Sequence, residues 1–386
     1  MTRAVHVIGA ETGPFGRFVE TSLADLARPV LLAALQDAGI APGDIQAAYV
    51  GNGFGGLIQG QEAILGQVVL AGIGIAPVPI HTIKNACSSG SDAAHLAWAA
   101  IAYGQYECVL VLGVEKMTHA DKTRAIAALA TASDRVPTDG TRSVFMDLNA
   151  ERAQRYMAAY GATKRHFAMV AVKNRQHAML NEKASVRTPL TVEQVMEDRV
   201  VIEPLTRAMC GGIADGAAAI VLASDDFMRR HGLKGPKMLA SAVVSGDPTG
   251  ALSASATARA AALAFEQSGI APSDVSMAEV HDPTAPQEFL DIEDIGLCGR
   301  GESIRLLEEG AIALGGRIPV NVSGGLTSRG HPVGATGVAQ IAEIAHQLQG
   351  RAGASQVEGA RIGLAQMAGG LLGRDSAIAT VHILGQ

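Results

Sequence analysis

One cysteine and two histidines stand where reactive side chains are usually held. The stretch IHTIKNACSSGSDAAHLAWAAIAYG, residues 80 to 104, reads as a strand, a junction and a helix over 88 to 103 that Gly104 ends. Cys87 falls at the junction, at or beside the helix N-terminus. Unpaired N–H groups and the positive end of the helix dipole lower a thiol pKa there, which predicts a nucleophile that forms a thiolate readily. Ser88, Ser89, Gly90 and Ser91 are small and leave room for a substrate to reach the sulfur. The competing reading is a buried structural cysteine.

The second stretch is RIPVNVSGGLTSRGHPVGATG, residues 317 to 337. The pattern predicts a strand over 317 to 322, a glycine-rich loop, and a helix from about Ala335. Such a loop lets backbone approach a ligand and holds His331 at a cavity mouth. His331 is a candidate base for Cys87, and a nucleophile with a base is what acyl transfer requires. The third stretch is EVHDPTAPQE, residues 279 to 288. An apolar run from Val275 to Val280 ends in His281 and Asp282, then two prolines turn the chain. That arrangement aims an imidazole into a cavity, or simply ends a strand.

The remaining signals are weaker. GNGFGG, residues 51 to 56, has the spacing of a dinucleotide loop, but the region 20 residues on, AGIGIA, carries no acid, so it reads as a glycine turn. His281 and Asp282 have no partner ligands at metal spacing, so no metal is expected. Cys108 and Cys210 lie in apolar strand or turn contexts and read as filler.

The elements that must carry these residues show a repeat. ALQDAGIAPGDIQAAYVGN (34 to 52) and AFEQSGIAPSDVSMAEVHD (264 to 282) each read as a helix stopped at Gly, a Pro-containing turn with an acidic cap, and a strand. MCGGIADGAAAIVLAS (209 to 224) and MAGGLLGRDSAIATVHI (367 to 383) are a second echo, a glycine turn before a β run. Two similar α/β halves follow. Between them, residues 118 to 204 carry 13 of the 31 Lys and Arg against 10 Asp and Glu, in a chain of net charge −6. This segment reads as helices and loops, the run from Asn149 to Leu180 included. It is either a solvated insertion or a lid whose cations meet an anionic substrate.

The 386 residues are 48% hydrophobic and only 18% charged, which suits a closely packed α/β protein. The acidic balance leaves no basic footprint for nucleic acid, and no apolar run reaches the length of a membrane span. Cysteines are few and widely separated, as in a reducing cytosol.

Together these motifs resemble the thiolase superfamily, most closely the sterol-carrier-protein (lipid-transfer) type. The likeness covers nearly the whole chain: NACSSGS, VLGVEKMT, ADGAAAIVLAS, NVSGGLTSRGHPVGATG and EVHDPTAPQEFLDIEDIGLCGRGE occur in the right order. It implies an α/β thiolase fold, two βαβαβαββ halves forming a five-layered αβαβα core with an inserted loop domain. The expected division is 1 to 117 completed by 205 to 232, a loop domain over 118 to 204, and 233 to 386. The resemblance further implies that Cys87 takes an acyl group from a coenzyme A thioester and that His331 activates it. His281 takes the position of an oxyanion-hole element, and Ser323, Gly325 and Gly330 become candidate substrate-binding residues. Coenzyme A is then a cosubstrate, with no bound cofactor, and a homodimer or homotetramer is expected. HILGQ carries no peroxisomal address, so cytoplasm is the expected location.

One departure matters. Relatives keep a second cysteine as acid/base, either in a Cys-x-Gly motif, where this chain has Met367, or in a His-Asp-Cys segment, where it has Pro283. Cys298 matches a family cysteine read as structural. Three functions follow: an acyl-CoA C-acyltransferase with a relocated base; a decarboxylating condensing enzyme or C-acyltransferase with a Cys-His-His set; or a non-catalytic acyl-CoA-binding protein, against which Cys87 and His331 together argue.

Overall fold

The computed structural model describes residues 2–75, 77–134 and 144–386. The first half contains β1 (Val5–Thr12), α1 (Leu23–Ala38), β2 (Ala47–Gly51), α2 (Gly55–Gln59), α3 (Leu65–Leu70), β3 (Ile80–Ile83), α4 (Ser89–Ala102) and β4 (Cys108–Lys116). An excursion follows through α5 (Thr123–Ala130), α6 (Val144–Tyr160), α7 (Lys164–Leu180), α8 (Val192–Glu197) and a ribbon of β5 (Val200–Ile202) and β6 (Leu205–Thr206). The chain returns as β7 (Asp215–Ser224), antiparallel to β4, and leaves by α9 (Asp225–His231). The second half is β8 (Lys237–Ser245), α10 (Ala256–Ser268), β9 (Met277–Glu279), α11 (Ala285–Asp294), α12 (Ser303–Glu308), α13 (Val333–Leu348), β10 (Ile362–Gly369) and β11 (Ile378–Gly385).

The strand order β3-β2-β4-β7-β1 in the first half is mirrored by β8-β11-β10-β9 in the second, and the two join where His6 pairs with Lys237. Period-two alternation sorts each strand's side chains between two apolar layers. On β4, Cys108, Leu110, Leu112 and Val114 pack with Leu31, Ala34 and Leu35 of α1. Its Val109 and Val111 face the opposite way, toward Ala94 and Ile101 of α4 and Val338 and Ile341 of α13. On β11, Ala379, Val381 and Ile383 join Ala260 and Ala264 of α10 in a third cluster. Three apolar layers, one between the two halves of the nine-stranded sheet and one on each outer face, make the five-layered αβαβα core. Gly90 makes the central layer thin: a Cβ there would come within 2.3 Å of the Gly334 carbonyl, so α4 and α13 meet backbone to backbone.

The repeated turns are built alike. Gly39 (φ +67°) and Gly269 (φ +69°) end α1 and α10 in the left-handed region. Asp44 Oδ2 accepts from the Ala41 N–H at 2.9 Å, and Asp274 Oδ2 from the Ala271 N–H at 3.0 Å.

Two expectations change. The strand expected over 317 to 322 shrinks to one bridge between Val320 and Ala278, because Asn321 turns the chain at φ +57°. The helical run from Asn149 to Leu180 starts earlier, at Val144, and breaks at Gly161 (φ +75°) into α6 and α7. Among the described residues no helix is long and apolar enough to cross a membrane.

Candidate active site

Cys87 lies in a tight turn before α4. Ala86 takes φ +48°, and the carbonyls of Asn85 and Ala86 accept from the Ser88 and Ser89 N–H groups at 3.0 and 3.1 Å. His331 also stands two residues before a helix, α13, but in an extended bridge with Ile213 after Gly330 (φ +102°). His281 follows β9, its backbone N–H held by Gln366 Oε1 at 2.9 Å. The three side chains converge: Cys87 Sγ and one ring nitrogen from each histidine lie within 4.8 Å of one another, and the two rings meet edge-on at 5.5 Å. They share the wall of a cavity of about 140 Å³, otherwise lined mainly by apolar side chains such as Phe54, Met117, Phe145 and Val333. Tetrahedral zinc would need its ligand atoms about 3.5 Å apart, so this set would have to contract to hold one.

Hydrogen bonding fixes the tautomer of His331. Thr336 Oγ1 donates to the Pro332 carbonyl at 2.9 Å, so at 2.8 Å it must accept from His331 Nδ1–H. Nε2 is left with its lone pair, buried and without a partner among the described residues. His281 Nε2 is equally buried and unpartnered. Burial, then the neighbouring His281 and Arg329, holds the His331 pKa well below the usual value. Burial, with Arg152 nearby, takes His281 down to about 3. Both imidazoles are neutral.

The expected low pKa of Cys87 is corrected. Burial pushes the thiol up to about 12, and the Glu115 carboxylate adds to it, outweighing the helix end. The resting site therefore holds a thiol beside a free imidazole base.

Glu115 also explains GNGFGG. Its carboxylate accepts from the N–H groups of Gly53 (2.8 Å), Phe54 (3.2 Å) and Gly55, and from Gly334 of α13 at 2.8 Å. The loop is an anion cradle filled by the protein's own side chain, and it ties the cysteine half to the histidine half.

Beneath His281, Asp282 accepts from the Leu326 N–H at 2.7 Å and from Asn174 Nδ2 at 2.9 Å. Glu288 pairs with Lys173 at 3.1 Å and accepts from Asn321 Nδ2 at 2.8 Å. Thus α7 supports the loop that carries His331. Ser323, Gly325 and Gly330 belong to this support and are not on the cavity wall. Ser323 bonds Glu279 through its N–H and hydroxyl, Gly325 sits where a Cβ would come within 2.5 Å of Asp282 Oδ2, and Gly330 turns the chain at φ +102°.

Cys108 packs in the first outer layer. Cys210 Sγ donates to the Thr206 carbonyl at 3.4 Å, and Cys298 Sγ lies 3.6 Å from Ser303 Oγ. Pro283 stands on the cavity wall and Met367 is fully buried in β10, so among the described residues Cys87 is the one thiol facing the cavity. The sequence reading missed four polar wall residues, Asn149, Arg152, Gln287 and Ser376. The basic excess of residues 118 to 204 was the available signal for Arg152.

A cysteine and a free imidazole base, each presented by a central-layer helix of a duplicated α/β core, define an acyl-transfer enzyme. A family profile described as Thiolase, N-terminal domain matches residues 5–226, and one described as Thiolase C-terminal domain-like matches 244–386. The chain belongs to the thiolase family, and its chemistry is thiolase-like acyl-CoA chemistry. It is 40% identical over 386 residues to the acetyl-CoA acetyltransferase of Methanothermobacter thermautotrophicus, covering 99% of each chain. It is 37% identical over 381 residues, 96% of each chain, to the benzoylsuccinyl-CoA thiolase subunit BbsB of Thauera aromatica. Among solved structures, the Ltp2-ChsH2(DUF35) aldolase matches with TM-score 0.81 at 25% identity, covering all of this chain and 98% of that one.

Proposed function

We propose that this protein is a Cys-His-His C-acyltransferase whose carbon nucleophile arises by decarboxylation or arrives already activated. The observation behind this reading is one thiol facing two neutral imidazoles, with Pro283 and Met367 where a second thiol would be. In the first step the Cys87 proton passes to His331 Nε2, sulfur attacks the thioester carbonyl, and coenzyme A leaves as the thiol with that proton. In the second, His281 offers an N–H to the carbonyl oxygen of the incoming thioester while loss of CO₂ leaves the carbanion that attacks the acyl group; the acyl C–S bond breaks, and the departing Cys87 sulfur takes a proton from solvent by way of His331. Without a second acid/base, direct removal of an α-proton is slower by about 10² to 10⁴.

Intact-mass measurement with acetyl-CoA tests the first step: wild type gains an acetyl group and Cys87→Ala does not. Malonyl-CoA decarboxylation compared with thiolysis of a 3-ketoacyl-CoA tests the second, and decarboxylation is expected to be faster. Faster thiolysis supports the ordinary thiolase reading, which the 40% identity to an acetyl-CoA acetyltransferase favours. A homodimer or homotetramer in the cytoplasm belongs to the same proposal and rests on the family resemblance. The names of two relatives, a thiolase subunit and a DUF35-paired aldolase, add a heteromeric partner to seek by co-purification.

A further inference from the structure

Arg152 of α6 reaches the cavity that Cys87, His281 and His331 share. Among the described wall residues it carries the one fixed charge, since both histidines are neutral. Its guanidinium donates to Gln287 Oε1 at 3.3 Å and to the Arg374 carbonyl at 3.1 Å, both uncharged acceptors. Gln287 is turned to receive it, because its own Nε2 donates to Asp291 Oδ1 at 3.0 Å.

The carboxylates nearby already have other cations. Glu151 pairs with Arg155 at 2.8 Å and with Arg374, Asp294 pairs with Arg300, and Asp375 pairs with Arg259 at 3.2 Å. Asp291 is fully buried, burial with the adjacent Asp294 raises its pKa well above the usual range, and its Oδ1 accepts from Gln287, not from Arg152. Asp291, Asp294, Asp375 and Glu151 favour the Arg152 charge from a distance, but among the described residues none pairs with it. A guanidinium at an apolar cavity without a contacting counter-charge gains from an arriving carboxylate, which supplies two parallel charged hydrogen bonds.

We propose that Arg152 recognises a carboxylate on the acyl group, so that the acyl donor is a short dicarboxylic acyl-CoA thioester of the succinyl or glutaryl kind. This rests on the acyl-transfer reading above. The coenzyme A phosphates cannot account for such a preference, because every acyl-CoA carries them.

The test measures the rate of Cys87 acylation by succinyl-CoA and butyryl-CoA, which match in chain length and differ in charge. Wild type is expected to favour succinyl-CoA. Arg152→Met lowers the succinyl-to-butyryl ratio by about 10- to 100-fold, the weight of a charged hydrogen-bonded pair. Arg152→Lys keeps the charge without the fork and retains part of the ratio. An equal loss for both thioesters in Arg152→Met overturns the proposal, as does a wild type that prefers butyryl-CoA. An Arg152 effect confined to malonyl-CoA as acceptor also overturns it. Acylation by butyryl-CoA without a succinyl preference removes this inference and leaves the acyl-transfer reading standing. Failure of every thioester to acylate Cys87 removes both.

Discussion

The two halves use one scaffold for different ends. Cys87 stands two residues before the first residue of α4, and His331 stands two residues before the first of α13. The same place in each half supplies the nucleophile on one side and the base on the other, and Gly90 against Gly334 brings them together. The strand ends diverge in a second way. In the register that matches residue 34 to 264, Gly51 and Asn52 fall opposite His281 and Asp282. After β2 the chain forms a cradle of N–H groups, and Glu115 fills it. After β9 it presents a histidine whose Nε2 is unpaired among the described residues. One half satisfies its polar groups internally, and the other leaves one exposed to substrate. Duplication thus supplied two equivalent sites, and function came from what each failed to satisfy.

The largest effect that would test this division is at the nucleophile. Cys87→Ala should abolish acyl-enzyme and cost about 10⁴-fold or more in turnover, read by intact mass and steady-state rate. The raised thiol pKa makes a related prediction. The thiolate is scarce below about 12 and becomes more abundant as the pH rises. Alkylation of Cys87 by iodoacetamide should therefore rise about tenfold per unit from pH 7 to 10. A plateau near pH 7 would instead reveal a thiolate–imidazolium pair and restore the helix-end expectation.

Next in size is the cradle. Glu115→Gln sets an amide nitrogen against N–H donors and should cost about 3 kcal/mol in urea unfolding. Asp282→Asn disturbs a site with one backbone donor, Leu326, and should cost about 1 to 2 kcal/mol. The reverse order would mean that the second half, not the first, closes the structure.

Much of the site was legible because its signals are local. Cys87 and His331 sit at strand-to-helix junctions marked by small residues and glycines, and His281 ends an apolar run. The repeat was legible because both turns spell the same cap with Gly, Pro and Asp. What stayed hidden depends on partners distant in sequence. No local rule shows that Glu115 would occupy a glycine loop sixty residues earlier, or that its charge and burial would overrule a helix end at Cys87. Arg152 could be noticed as part of a basic stretch, but only folding places it in the cavity. The strand at 317 to 322 was overestimated because its letters are apolar, while Asn321 turns to bond Val280 N–H and Glu288.

The third test addresses the empty place for a second thiol. Pro283→Cys puts a sulfhydryl on the cavity wall and should raise 3-ketoacyl-CoA thiolysis by about 10- to 100-fold. If thiolysis is already fast and the substitution adds nothing, the second half had its proton carrier all along, with His281 the nearest candidate.

The smallest effect asks where the halves should behave identically. Gly39 and Gly269 end equivalent helices at φ +67° and +69°. A Cβ at Gly39 would lie 3.7 Å from Leu233 Cδ2, ordinary contact, and at Gly269 it would meet nothing within 4 Å. Steric crowding is therefore absent at both, and only left-handed backbone strain is added. Alanine at either position should cost about 1 kcal/mol, and the two values should agree within the error of urea unfolding. Turnover should hold in both variants, because neither turn touches the cavity wall. Matching costs would confine the asymmetry of the two halves to the loops before α4 and α13 and the strand ends beside them. A cost at one turn several times the other would show that the asymmetry reaches into the scaffold itself.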